Sequence, residues 1–196
     1  MAGYVKDQAE FAAISRQANE MFVMDSRLPQ QVFRGFAGRT CFTQFSFYCL
    51  PELWDIVAGY VPCKAVVLTV DPDPETYFFR HFGYFSSFVV EPGDASTEIL
   101  ELVDQAPSRS PADSMLVRAD VVVFFPVSGA WGLWLERISG FCVFGCNSDT
   151  VLARVMRAPH FCSLEEAIAT WGRQEFLRAE AEYLAFSKLL RENYGD

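Results

Sequence analysis

The sequence is short of bases, of histidine and of long apolar runs. Its 16 Lys and Arg face 25 Asp and Glu, for a formal charge of −9 and a pI near 4.7. A general nucleic-acid binder needs a basic surface for the phosphates, so nucleic acid is not an expected partner. There are only two histidines, His81 and His160. His81 stands beside Arg80 in an aromatic stretch, and His160 follows Pro159 in a connection; each reads as structural rather than as a general base. The longest apolar stretches, residues 65–70 and 121–127, are far too short to span a bilayer and are flanked by Lys64 and Asp120, so no membrane association is expected. Residues 1–10 are polar, with Lys6 and Asp7, and lack the apolar core of a secretory signal. The expectation is a soluble protein of the cytosol, where thiols stay reduced.

Reaction motifs are missing as well. The chain has no G-x-G-x-x-G, no phosphate loop ending in Gly-Lys, no H-E-x-x-H and no calcium loop. Ser128 falls outside a G-x-S-x-G frame because Pro126 stands at the first glycine position. No catalytic residue and no cofactor is therefore expected.

What is present is a core. Hydrophobic residues make up 51% of the 196 and charged residues 21%, which excludes a disordered acidic tail and suits a single domain over 1–196. Helical spacing of Phe11, Ile14, Ala18 and Met21 predicts a helix over 4–24. An aromatic strand is expected at 42–48, a helix opened by Pro51, and a β-branched strand at 64–70. Asp73 and Pro74 suit the cap and first turn of a helix running to about residue 82. A strand at 87–90, an amphipathic helix after Ser96 and a long loop at 106–114 follow. Strands at 116–126, 131–137 and 141–146, joined by short turns, have the spacing of an antiparallel meander. Within it, Trp134 and Glu136 share one face. A short helix is expected at 148–156. Ser163 and Glu166 form a capping box that starts a C-terminal helical region with a bend at Gly172. The fold class read from this pattern is α+β: a mainly antiparallel sheet of five or six strands with helices packed mostly on one side.

Two constellations offer themselves as metal sites. Cys142, Cys146, His160 and Cys162 form the best cysteine group, but their spacing fits common zinc sites poorly, and small buried hydrophobes are the simpler reading. Asp71-Pro72-Asp73 follows a strand and could hold a hard cation, which would suit a small metal-dependent transferase or hydrolase. The prolines explain the same segment as a turn and a helix cap. Glu136-Arg137 reads either as an ion-pairing dyad or as an exposed strand end.

The charge is concentrated. Residues 71–105 contain Asp71, Asp73, Glu75, Glu91, Asp94, Glu98, Glu101 and Asp104 against Arg80 alone, so most of the chain's −9 falls there. Such a block is either a solvated face or a surface that attracts a basic partner by speeding encounter and excluding wrong partners. The 19 Phe and 4 Trp supply candidates for interface anchors. An accessory module that binds a secreted partner through an apolar groove is a further alternative.

The meander also carries a resemblance. Ser128-Gly129-Ala130-Trp131-Gly132-Leu133-Trp134-Leu135-Glu136-Arg137, followed by Phe141-Cys142-Val143-Phe144-Gly145, resembles a hairpin of bacterial immunity proteins from polymorphic-toxin systems, including contact-dependent and type VI secretion systems. The shared pattern is small-Gly-x-Trp-Gly, an acidic/basic pair, then an apolar strand ending in Gly. It covers about 30 residues, and Trp131, Gly132, Glu136 and Arg137 match it. The resemblance implies a small acidic protein without catalysis that binds a cognate toxin domain and blocks it. The acidic block supplies the expected partner contacts, Asp71, Asp73, Glu75, Asp94, Glu98 and Glu101, and the oligomeric state is open.

Overall fold

A computed structural model describes residues 3–36, 39–60, 62–107, 110–172 and 180–195. The strands are β1 (Thr40–Gln44), β2 (Ala65–Asp71), β3 (Ser87–Val90), β4 (Val121–Pro126), β5 (Trp131–Glu136) and β6 (Phe141–Cys146). They form one six-stranded sheet in the order β1-β6-β5-β4-β2-β3, and every pairing is antiparallel. The helices are α1 (Gln8–Met21), α2 (Cys49–Val57), α3 (Arg80–Phe82), α4 (Ser96–Asp104), α5 (Met115–Arg118), α6 (Asp149–Val155), α7 (Leu164–Ala167) and α8 (Glu180–Tyr194). This is the expected α+β class with the expected meander, in which Trp134 lies between Val123 of β4 and Val143 of β6.

The helices are distributed differently from the expectation. They do not gather mostly on one side. α2, α4, α5 and α6 cover one face of the sheet, while α1, α7 and α8 cover the other. The reason lies in the central strands. Every residue of β4, β5 and β6 is buried, so both faces must be roofed. An uninterrupted run such as Val-Val-Val-Phe-Phe is the signature of two-sided burial.

Both sheet edges are capped by other chain segments, which blunts pairing with foreign strands. Val5 donates to the Ser87 carbonyl and accepts from the Phe85 amide, each at 2.8 Å, along the β3 side. Cys162 and Phe42 exchange amide bonds of 2.8 and 2.9 Å along β1. α1 is therefore shorter than the expected 4–24: Asp7 caps it by accepting from the Glu10 amide, and residues 4–6 stay extended. The expected helix after Asp73 is a π turn, Pro74–Phe79, running into α3. The strand expected at 116–126 begins only at Val121, because Met115–Arg118 winds into α5. Part of the long loop, residues 108 and 109, lies outside the described residues, as does the segment 173–179 just past the expected bend at Gly172.

The capping box is formed. The Ser163 hydroxyl accepts from the Glu166 amide, and the Glu166 carboxylate accepts from the Ser163 amide at 3.0 Å. The Ser163 hydroxyl also donates to that carboxylate at 2.7 Å, and this bond, followed by the one from the Ser163 amide, holds the Glu166 carboxyl below its usual range. Ser163→Ala is expected to cost about 1 kcal/mol, read as a Tm lowered by roughly 2–4 °C; an unchanged Tm would show that the cap contributes nothing.

On the α1 side, Gly132 and Gly145 stand opposite each other on β5 and β6 and leave a trough for aromatic rings. Phe22 lies over Gly132 and packs against Phe33, Phe125 and Trp134, while Phe36 lies over Gly145. The buried Glu136 carboxylate ties the connection after α1 to the sheet. Its Oε2 accepts from the Leu28 amide at 2.9 Å and from Trp134 Nε1 at 3.0 Å. The Tyr194 hydroxyl fastens the same connection from α8, accepting from the Val32 amide and donating to the Gln30 carbonyl, both at 2.9 Å.

Candidate docking surface

The sequence has no Lys or Arg from residue 40 to residue 63 and none in the helix after Ser96. The fold puts these two base-free stretches side by side. α2 turns Leu50, Leu53, Trp54 and Val57 inward and carries Glu52 and Asp55 toward the outside. α4 turns Ile99, Leu102 and Val103 inward and carries Glu98, Glu101 and Asp104 outward. The Ser96 hydroxyl donates to Asp55 at 3.1 Å, joining the start of α4 to the end of α2. The helices thus run antiparallel, and the start of α2 meets the last turns of α4.

At that meeting point lies a cavity of about 250 Å³ lined by Phe47, Tyr48, Leu100, Glu101, Val103, Asp104 and Leu116. Apolar groups around it reach solvent. Tyr48 is 73% exposed, and Val117, beside Leu116 in α5, is 56% exposed. Arg137 holds this end together. Its guanidinium stacks 4.9 Å from the Phe45 ring and donates to the carbonyls of Leu116 (2.7 Å) and Ala119 (3.0 Å). The surface therefore combines five carboxylates with exposed apolar groups, the pairing that protein interfaces use for steering and anchoring.

The acidic stretch 71–105 does not form one face. Asp71 ends β2 and is engaged by Arg27 at 2.9 Å. Asp73 accepts from the amide (2.7 Å) and the hydroxyl (2.9 Å) of Thr76 as a helix cap. Glu75 lines an open cleft against α1 with Asp73. Asp94 accepts from the Glu91 amide at 2.8 Å in a turn, and Glu91 pairs with Lys64 at 2.7 Å. β2 separates these groups: Asp71 stands at one end and Lys64 precedes the other, about 20 Å away at strand rise. The Asp71 end is also balanced by cations, since Arg137 approaches Asp120 at 3.7 Å and Arg118 stacks on Tyr77, which donates to Asp113. The Ser110 hydroxyl and then Tyr77 hold the Asp113 carboxyl below its usual range.

Of the six expected contacts, Glu98 and Glu101 lie on the α2–α4 surface, Asp94 lies in the turn just before α4, and Asp71, Asp73 and Glu75 lie elsewhere. Glu52, Asp55 and Tyr48 were not singled out from sequence; the base-free stretch 40–63 was the signal for them. The cysteine group does not converge. Cys142 and Cys146, of one parity on β6, share the α2 face with Cys41, whereas Cys162 packs against the opposite face and His160 is exposed. No group of three or more His, Cys, Asp or Glu among the described residues could hold a metal ion. Burial pushes the Cys162 thiol up to about 11 and the Cys146 thiol above its usual value. No helix among the described residues is long and apolar enough to cross a membrane.

Comparison of the chain with protein-family models, with curated proteins and with solved structures found no match.

Proposed function

We propose that this chain is an immunity protein: a non-catalytic inhibitor that binds a basic toxin domain, nuclease-like in charge, in the cytosol and covers its active site. The observation that carries the reading is the α2–α4 surface, where five carboxylates and no base within either helix border exposed Tyr48, Leu116 and Val117. A field of one sign raises the encounter rate with a cationic protein, and an aromatic beside a small apolar cavity supplies the anchor. The resemblance at residues 128–145 supports the class of protein but not the contacts. Trp131 is buried in the core, Gly132 makes room for Phe22, Glu136 holds the Leu28 amide, and Arg137 holds α5. All four matching residues serve the fold, so partner contacts belong elsewhere.

The test is association with the toxin domain encoded by the neighbouring reading frame. Reversing Glu52, Glu98 and Glu101 to Lys should slow association roughly tenfold or more at low salt and flatten its salt dependence. Glu75→Lys, in the cleft against α1 on the side of the sheet away from α2 and α4, should change it far less. Unchanged kinetics in the triple variant would remove this surface from the mechanism.

A further inference from the structure

We propose that the cavity between Tyr48 and Leu116 is a subsite for one arginine side chain of the partner. This deepens the docking reading above and rests on it. The cavity, about 250 Å³, is of side-chain size, and its lining has two chemistries. Phe47, Leu100, Val103 and Leu116 are apolar, while Glu101 and Asp104 are carboxylates one turn of α4 apart. A purely apolar anchor would leave both carboxylates beside it without compensation. A long cationic side chain satisfies both halves: its methylene stem lies on the apolar wall and its head reaches the acids.

Three further observations narrow the occupant. Neither Glu101 nor Asp104 makes an ion pair or a side-chain hydrogen bond among the described residues, so both keep their full acceptor capacity. Arg137, whose guanidinium lies 5.9 Å from the Phe47 ring, is committed to the Leu116 and Ala119 carbonyls and to Phe45. Both acids lie in the last turns of α4, where the carbonyl ends of the helix add negative potential. Arginine fits better than lysine because a planar guanidinium can bond a carboxylate through two N–H groups and also stack on the exposed ring of Tyr48. A second copy of this chain does not suit the site, because its own α2–α4 surface would bring carboxylates against carboxylates.

The experiment titrates the full ¹⁵N-labelled chain with N-acetyl-arginine amide, N-acetyl-lysine amide and N-acetyl-norleucine amide and follows backbone amide shifts. The arginine probe should move the amides of Phe47, Tyr48, Glu101, Asp104 and Leu116 saturably. It should bind roughly five- to tenfold tighter than norleucine, whose stem is apolar but uncharged. Lysine should fall between. The E101Q/D104N variant, which alters two groups without partners, should keep its dispersed spectrum and lose the arginine preference. Equal response to norleucine, saturable shifts away from the cavity, or an arginine preference that survives E101Q/D104N would overturn the subsite; lysine matching arginine would overturn the guanidinium assignment. These probes involve no toxin. If they fail while charge reversal still slows toxin association, the subsite falls and the docking surface stands; the opposite pattern removes the docking surface and leaves a bare cation pocket.

Discussion

The Gly132→Val variant is expected to unfold roughly 5–10 °C below the parent chain, a cost of about 2–3 kcal/mol. On strand propensity alone the sign would be the reverse, since valine suits a strand and glycine weakens one, by up to about 1 kcal/mol. Packing decides against it. A Cβ on Gly132 would stand 2.8 Å from Phe22 Cζ and 3.2 Å from Cε1. Phe22 is fully buried, with Phe33, Phe125 and Trp134 rings centred 5.5 to 6.0 Å away, so the ring has nowhere to retreat. The clash can be isolated by a double-mutant cycle. Phe22→Ala alone should cost about 3–5 kcal/mol. Combined with Gly132→Val it should cost less than the two separate losses together, by on the order of 1 kcal/mol or more, because the valine enters the space the ring leaves. Simple additivity in thermal or denaturant unfolding, or a Gly132→Val chain as stable as the parent, would show that Phe22 does not set the requirement for glycine.

The same trough shows how far the sequence could be read. The β4-β5-β6 meander is legible because its turns are short and its strands are strongly apolar. The shared face of Trp134 and Glu136 is legible from strand parity, and it becomes a hydrogen bond of 3.0 Å in the structure. The fate of Glu136-Arg137 is not legible. Neither the ion-pairing dyad nor the exposed strand end describes it. Glu136 is buried and takes its second donor from the backbone of Leu28, 108 residues away, while Arg137 turns to the carbonyls of Leu116 and Ala119. A contact to a distant backbone amide leaves no trace in residue type or spacing. Two-sided covering of the sheet is legible in the unbroken apolar run of β4, but which helices roof which face is not. The helices that roof it have ordinary amphipathic faces, which say that each packs on something but not on which side.

The α2–α4 surface does not show in the order of charges along the chain. Asp71 and Asp94 fall in one acidic block, yet β2 and its neighbours hold them at opposite ends of the sheet. Glu52 and Asp55 fall outside that block, yet α2 lies against α4 and brings them beside Glu98. A field is set by distance in space, and antiparallel packing of two helices joins segments some 45 residues apart. The absence of bases over 40–63 is a further sign, since it leaves α2 with no cation of its own beside Glu52 and Asp55.

Glu136 carries the other large effect. Glu136→Ala is expected to lower stability by about 2–4 kcal/mol, because it strands two buried donors, the Leu28 amide and Trp134 Nε1. Glu136→Gln keeps an acceptor in place and should stay within about 1 kcal/mol of the parent at neutral pH. The pH dependence separates the role of charge from that of shape. Burial raises the carboxyl of folded Glu136 above its usual 4.5, overriding the donors from Leu28 and Trp134 and the nearby Arg27 that pull the other way. A raised acid binds its proton more tightly in the folded chain than in the unfolded one. Its contribution to stability is therefore fully present below 4.5 and is lost as pH rises through the raised folded value. The parent should gain stability relative to Glu136→Gln as pH falls through that window. Asp113, Glu165 and Glu166, whose carboxyls are held low, change in the opposite sense, but they do so in both proteins and cancel in the difference. Denaturant unfolding of the pair across mildly acid pH measures that difference directly. A gap that stays constant with pH would mean that Glu136 is not the group being titrated, and faster exchange of the Leu28 amide in Glu136→Ala alone would then place the whole effect in the lost hydrogen bonds.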